Sequence, residues 1–287
     1  MGKKKVVTTT TTVTEEIIET NVNEKTLIVC LLDTSGSMAH NNAIDAAISK
    51  FNEFLNKQQL LPDRANMTVI LFDDQYDVLY DNVDIKKIKP ITKDEWFPRG
   101  MTRLNDAIGK TINNVKKEQN TLGKKYLVDK IMVVITTDGL ENDSQEYTTD
   151  GVKSLIKDCE KNEWTFLYLA ANQDAFAVGS TYGISKGNTF TFSNTRAGNE
   201  VMYATLDNAT TRYRSMSVSS ASFLQDKKSL ISEEDEKDVK DSLSNQNTTT
   251  KNNFVGGIFN NGIDVSGNAV FTSNSTAIPA ENEEEKK

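Results

Sequence analysis

Two kinds of apolar pattern alternate along the middle of the chain. Leu27-Ile28-Val29-Cys30-Leu31-Leu32 is an unbroken apolar run that stops at Asp33. Such a run predicts a strand buried on both faces of a sheet. The apolar period then changes, with Ile44, Ala47, Ile48, Phe51 and Leu55 falling on one face of a helix. Met67 to Phe72 and Tyr76 to Tyr80 predict two strands joined by a hairpin at Asp73-Asp74-Gln75. Leu104, Ile108, Ile112 and Val115 mark a second helix, and Ile131-Met132-Val133-Val134-Ile135 a second buried strand ending at Thr136-Thr137-Asp138-Gly139. A third helix, capped by Thr149, carries Val152, Leu155, Ile156 and Cys159 on its apolar face. Further elements are expected at Trp164 to Ala170 (strand), Gln173 to Ser180 (short helix) and Thr189 to Phe192 (strand). A last helix buries Met202, Leu206, Ala209, Tyr213 and Met216.

Strands alternating with helices imply an α/β fold: a doubly wound, Rossmann-like, mainly parallel central sheet with helices on both faces and one antiparallel edge strand. Ligand sites in such sheets lie beyond the carboxyl ends of the strands, where strand order reverses. Residues immediately after strands are therefore the ones to inspect.

Composition changes outside this core. Residues 1–25 are threonine-rich and poor in large apolar groups, and read as a flexible arm able to add a strand to a sheet edge. The α/β domain is expected over 26–222. Residues 223–287 read as an acidic, polar and largely disordered tail, since 225–287 contain 12 Asp or Glu against 7 Lys or Arg. An apolar island at 254–271, including Phe254, Ile258, Phe259, Val270 and Phe271, either packs back on the domain or docks a partner. Arm and tail are the expected places for oligomer or assembly contacts.

The net charge of −8 and the absence of a dominant basic cluster argue against nucleic acid as a partner. No apolar stretch reaches the roughly 18 residues of a membrane helix, and no apolar signal segment follows Lys3 to Lys5, so no membrane role is expected. Cys30 and Cys159 sit at apolar positions and read as structural free thiols, consistent with a reducing cytoplasm.

The candidate chemistry lies at the strand ends. Asp33-Thr34-Ser35-Gly36-Ser37 places a carboxylate and two hydroxyls on a tight loop directly after the first buried strand. Thr102 opens a helix after Pro98-Arg99-Gly100-Met101, and Asp138 ends the second buried strand. A parallel sheet brings all five to one edge. Oxygen donors of this kind suit Mg²⁺, Mn²⁺ and Ca²⁺ alike. Arg99 and Arg103 either draw in an acidic ligand or are ordinary surface charge. Glu141 and Asp143 either tune a metal through water or, the preferred reading, are solvated loop acids. Asp73, Asp74 and Asp77 read as a solvated turn in preference to a second cation site. Catalysis is not expected. The single histidine, His40, would have to serve any Ser-His-Asp arrangement, and neither a GxSxG elbow nor a phosphate-binding GxxxxGK[ST] loop is present.

Together Asp33, Ser35, Ser37, Thr102 and Asp138 resemble the metal-ion-dependent adhesion site (MIDAS) of the von Willebrand factor A (vWA) domain, over roughly residues 26–220. Pro98-Arg99-Gly100, Asp138-Gly139-Leu140-Glu141-Asn142 and Ala171-Asn172-Gln173-Asp174 resemble most the small bacterial and phage proteins of this type. The resemblance implies that the serines and, in one state, the threonine contact a dication, that the aspartates act through water or as near ligands, and that one position stays open for a partner's carboxylate. It implies a metal-dependent adaptor or assembly protein in the cytoplasm of a bacterium or phage-infected cell. The alternative is a structural component of a complex or virion in which the metal only stiffens the loops. In some relatives the last helix shifts with ligation; the equivalent helix here is Ala197 to Ala221.

Overall fold

The computed structural model describes residues 24–121 and 127–215, together with two short strands, Gly262–Ile263 and Ala269–Val270. The threonine-rich arm, most of the tail and apolar island, and the expected helical residues beyond 215, Met216 included, lie outside the described residues.

Residues 24–215 build a six-stranded sheet. In chain order the strands are β1 (Lys25–Asp33), β2 (Arg64–Phe72), β3 (Tyr76–Asp84), β4 (Lys130–Thr137), β5 (Thr165–Ala171) and β6 (Thr189–Phe192), laid side by side as β3-β2-β1-β4-β5-β6. All pairs are parallel except β2 with β3, which is antiparallel and forms one edge. This doubly wound α/β arrangement is the one expected from the alternating pattern.

β1 runs down the middle, flanked by β2 and β4. Successive side chains point to opposite faces, so its apolar run serves two cores at once. Ile28, Cys30 and Leu32 meet α1 (Ala43–Gln59) and α5 (Arg196–Ser215) on one side, where Phe51, Phe54, Met202, Tyr203 and Leu206 are buried. Leu27, Val29 and Leu31 meet α2 (Leu104–Thr121) and α3 (Thr149–Glu160) on the other, against Leu104, Ile108, Ile112, Val152 and Ile156. A short helix, α4 (Ala175–Thr181), connects β5 to β6.

The chain leaves β1 for β2 and β3 on one side and then crosses by α2 to β4 on the other. Strand order therefore reverses between β1 and β4, and their carboxyl ends diverge into separate loops. Asp33 closes β1, and Asp138 follows the last residue of β4.

Three boundaries depart from the pattern reading. β3 extends to Asp84 rather than Tyr80, because an edge strand with one solvated face needs no continuous apolar face; its register is irregular opposite Val69, and Asn82 adopts φ 50°. The cap of α3 is Thr148, one residue before the expected Thr149; its side chain accepts from Gly151 N. The stretch after β3 supplies Ile85, Ile88, Ile91 and Trp96 to the α1–α5 core. Its apolar residues follow neither helical nor strand spacing, so no periodic pattern marks it.

Residues 245–287 form a separate unit, in which Gly262 pairs with Val270 and Ile263 with Ala269 in a short antiparallel ladder.

Candidate metal centre

Asp33 is buried at 1% exposure, and its carboxylate is held by neighbours on both strands. One oxygen accepts from Ser35 N at 2.7 Å and the other from Thr137 Oγ1 at 2.5 Å. The first contact curls the loop back on β1 and turns Ser35 and Ser37 the same way. Their hydroxyls lie 2.9 Å apart, and Ser37 Oγ donates to Asp138 Oδ1 at 2.5 Å. A continuous path of oxygens thus runs from the β1 loop to the end of β4.

The loop before α2 completes the cluster. Gly36 N donates to Gly100 O at 3.1 Å and Arg99 N to Thr34 O at 2.7 Å, lacing the first loop to the second. Thr34 Oγ1 donates to Phe97 O, and Trp96 Nε1 to Asp33 O at 3.0 Å. Gly100 turns with φ +50°, and a Cβ there would stand 2.2 Å from Asp74 Oδ1, so glycine is required on both counts. Thr102 follows, buried, with its N–H donating to Asn142 Oδ1 at 2.9 Å and its carbonyl accepting from Asn142 N at 3.1 Å. A Cβ on Gly139 would lie 2.9 Å from Thr102 Oγ1 and 3.6 Å from Ser37 Oγ. These two hydroxyls therefore face the same bare backbone. Asp33, Ser35, Ser37, Thr102 and Asp138 meet at one point from three loops.

Two carboxylates stand close together at this point. Burial, together with the nearby Asp138 carboxylate, pushes the Asp33 carboxyl up from 3.8 to about 6, even though Ser35 and Thr137 oppose the rise. A dication beside the pair would reverse the repulsion and hold both carboxylates ionised. The donors are all hard oxygens: two carboxylates and three hydroxyls. Among the described residues no group of three or more His, Cys, Asp or Glu side chains is arranged to hold a metal, so a cation at this point would have to draw on the hydroxyls as well.

The flanking charged residues have definite partners within the protein. Arg99 donates through Nε to Asp73 Oδ2 at 2.9 Å and through Nη2 to Asp77. Asp73 is fully buried, so Arg99 clamps the β2–β3 turn through it; the solvated-turn reading therefore fails for Asp73, while Asp74 is exposed and Asp77 partly so. Arg103 Nε pairs with Asp143 Oδ2 at 2.7 Å. Each guanidinium thus has a carboxylate partner within the protein. Glu141 is neither a solvated acid nor turned to the hydroxyl cluster. It accepts from Asn105 N at 2.8 Å, which satisfies an open N–H of the first turn of α2, and from Ser144 N at 2.7 Å. Asp106 binds the same loop from the other direction. Burial opposes its ionisation, but hydrogen bonds from Gln145, Glu146 and Tyr147 N hold its carboxyl below the ordinary value. The β4–α3 loop is thereby bolted to α2, and Asp138 and Thr102 keep their spacing.

Several contributors lie beyond the five residues expected from sequence. Thr137 stands in the Thr136-Thr137-Asp138-Gly139 run, so the sequence does mark its neighbourhood. Asn194 Nδ2 donates to Asp138 Oδ2 at 2.9 Å, and Gln173 Nε2 to Gly139 O at 3.2 Å. These amides come from the loops after β6 and β5; Gln173 falls in the Ala171-Asn172-Gln173-Asp174 run, whereas no local pattern marks Asn194. Around the cluster, Phe97, Met101 and Leu140 expose 45%, 51% and 58% of their surface. The backbone of His40 belongs to the 3-10 turn Gly36–Asn42, while its side chain lies outside the described atoms. Cys30 and Cys159 are buried free thiols.

Several solved structures are similar to this chain. Proximal thread matrix protein 1 from the mussel byssus matches at 16% identity and TM-score 0.47, over 64% of this chain and 45% of that one. The ArnB paralog VWA2 from Sulfolobus acidocaldarius matches at 18% identity and TM-score 0.44, over 65% and 45%. The manganese-loaded Plasmodium vivax TRAP protein matches at 15% identity and TM-score 0.47, over 63% and 73%. The chain thus spans less than half the length of the first two. No curated protein matches it. The family model of the von Willebrand factor type A domain matches residues 28–212, well over half of the chain, and the chain belongs to that family.

Proposed function

We propose that Asp33, Ser35, Ser37, Thr102 and Asp138 hold a divalent cation, Mg²⁺ or Mn²⁺ or Ca²⁺, and that the chain uses it to bind an acidic side chain of another protein. The observation that carries this reading is the hydrogen-bonded path of oxygens from Ser35 through Ser37 to Asp138, with the Asp33 carboxylate tied to the same loop through Ser35 N and Thr102 beside it. When bound, the cation supplies a Lewis-acidic centre that takes an anionic oxygen. The serine and threonine hydroxyls are the neutral donors, and the two aspartates balance its charge.

Two aspartates and one dication leave the centre close to neutral, so an incoming carboxylate meets no excess of negative charge. The rim suits contact with protein. Phe97, Met101 and Leu140 offer exposed apolar surface next to a polar centre, the composition of an interface core. The arrangement supports binding and not turnover. Asp33 is committed to Ser35 and Thr137, and Asp138 receives both Ser37 and Asn194, so neither carboxylate is placed as a general base. We place this activity in a reducing cytoplasm, where unpaired thiols such as Cys30 and Cys159 persist, and, on the resemblance of Pro98-Arg99-Gly100 and Asp138-Gly139-Leu140-Glu141-Asn142 to small bacterial and phage proteins, in an adaptor or assembly role in a bacterial or phage-infected cell.

The test is affinity capture with the wild type and Asp33→Asn in parallel, each in Mg²⁺ and in EDTA. A partner retained only by the wild type in Mg²⁺ supports the proposal. A partner retained equally in all four conditions refutes it and favours a structural role in which the metal only stiffens the loops.

A further inference from the structure

We propose that Asn194 is a positioning residue that sets the metal preference of the site, by withholding one oxygen of Asp138 from the cation. The proposal rests on the cation-binding reading above and goes beyond it. Asn194 is buried at 7% exposure, two residues before α5 begins. Its Nδ2 donates to Asp138 Oδ2 at 2.9 Å, while Ser37 meets Oδ1. The carboxylate is thereby turned so that one oxygen faces the hydroxyl cluster and the other faces the protein.

Asn194 is itself fixed. Its N–H donates to Asn172 Oδ1 at 3.0 Å, and Asn172 N donates to Phe192 O at 2.8 Å. Asn172 adopts φ 53°, a left-handed conformation that asparagine and glycine tolerate best. On the other side Thr195 closes the first turn of α5, accepting from Gly198 N at 3.1 Å through Oγ1 and from Asn199 N at 3.0 Å through its carbonyl. A Cβ on Gly198 would stand 2.0 Å from Ser193 O, so helix and loop are pressed together with no slack. The backbone that carries the amide is thus held between Asn172 and the start of α5.

The chemical consequence follows from coordination habits. Ca²⁺ takes six to eight oxygens and often grips a carboxylate by both, whereas Mg²⁺ demands near-octahedral geometry and keeps several waters. A carboxylate with one oxygen committed to an amide N–H serves the second habit and obstructs the first. Asp33 is constrained the same way, with Ser35 N on one oxygen and Thr137 Oγ1 on the other. Asn194 therefore favours a small octahedral cation over Ca²⁺.

The test uses the purified full chain. Binding of Mn²⁺ is followed by electron paramagnetic resonance, and Mg²⁺ and Ca²⁺ are titrated in competition, for the wild type, Asn194→Leu and Asn172→Gly. Asn194→Leu keeps the count and branching of the side-chain heavy atoms and removes the donor. Asn172→Gly keeps the left-handed backbone and removes the acceptor that holds Asn194. For Asn194→Leu the expected result is Mg²⁺ affinity lower by about 10–100-fold, in the range of lost outer-shell partners, with a smaller loss for Ca²⁺, so that the preference for Mg²⁺ narrows about tenfold. Asn172→Gly moves the ratio the same way by less, and decides the matter if Asn194→Leu does not fold. Equal losses for both ions, or an unchanged ratio, overturn the positioning role. A wild type that binds none of the three ions overturns the cation reading itself.

Discussion

Replacing Asp33 by Asn should make the metal-free protein more stable while abolishing its response to metal. Asp33 is buried, and its carboxyl rises from 3.8 to about 6 because burial and Asp138 disfavour the charge. At about 1.36 kcal/mol per tenfold change in proton affinity, the ionised form costs about 3 kcal/mol in the folded state. The amide fits the same contacts. Its oxygen accepts from Ser35 N as Asp33 Oδ1 does, and its NH₂ donates to Thr137 Oγ1, whose own proton turns to Gly139 O at 3.0 Å. The folded protein binds the Asp33 proton more tightly than the unfolded chain does, so wild-type stability falls as pH rises from 3.8 to about 6 and is level above. Urea denaturation in EDTA at pH 8 should show the Asp33→Asn protein gaining up to about 3 kcal/mol, a gain that shrinks toward zero below pH 4. Adding Mg²⁺ at a hundred times its Kd should raise the wild type by about 2.7 kcal/mol and leave Asp33→Asn unmoved. An Asp33→Asn protein less stable than wild type in EDTA at pH 8, or equally stabilised by Mg²⁺, would refute the reasoning.

Other consequences are as direct. Arg99→Ala leaves Asp73 buried without its guanidinium and should cost about 3 kcal/mol by urea denaturation; Arg99→Lys should recover only part, since one ammonium cannot span Asp73 and Asp77. Gly139→Ala puts a methyl 2.9 Å from Thr102 Oγ1 and should weaken Mn²⁺ binding at least about tenfold, with little change in the metal-free melting temperature. In the native state neither cysteine should react quickly with a thiol reagent at pH 8, because burial pushes Cys30 up to about 12 and Cys159 up to about 11; fast modification of either would contradict the packing described.

How much of this can be read from the chain follows from which signals are local. β1 and β4 are legible because a strand covered on both faces must be apolar throughout, and the oxygen-bearing residues directly after them inherit a known place in a parallel sheet. Asp33, Ser35, Ser37, Thr102 and Asp138 are open to proposal for that reason. The pattern ends the edge strand β3 too early because Asp81 and Asn82 fall in its register break and Asp84 pairs with Asn66 without showing a hydrophobic period. The internal partners of Glu141, Arg99 and Arg103 cannot be read from sequence because Asn105, Asp73 and Asp143 lie in other segments. A charged residue near a site looks the same in sequence whether it faces a ligand or caps a helix. Asn194 is hidden for the same reason: its partner Asp138 lies 56 residues away, and only the return of β6 beside β5 brings them together.

The central claim is that three loops cage one dication between β1 and β4. It is tested most directly by an anomalous difference map from crystals of this protein soaked in Mn²⁺. The account predicts one strong peak bounded by the hydroxyls of Ser35, Ser37 and Thr102, with Asp33 and Asp138 beside it. A map with no peak there, or with its only peak at other residues, would contradict it.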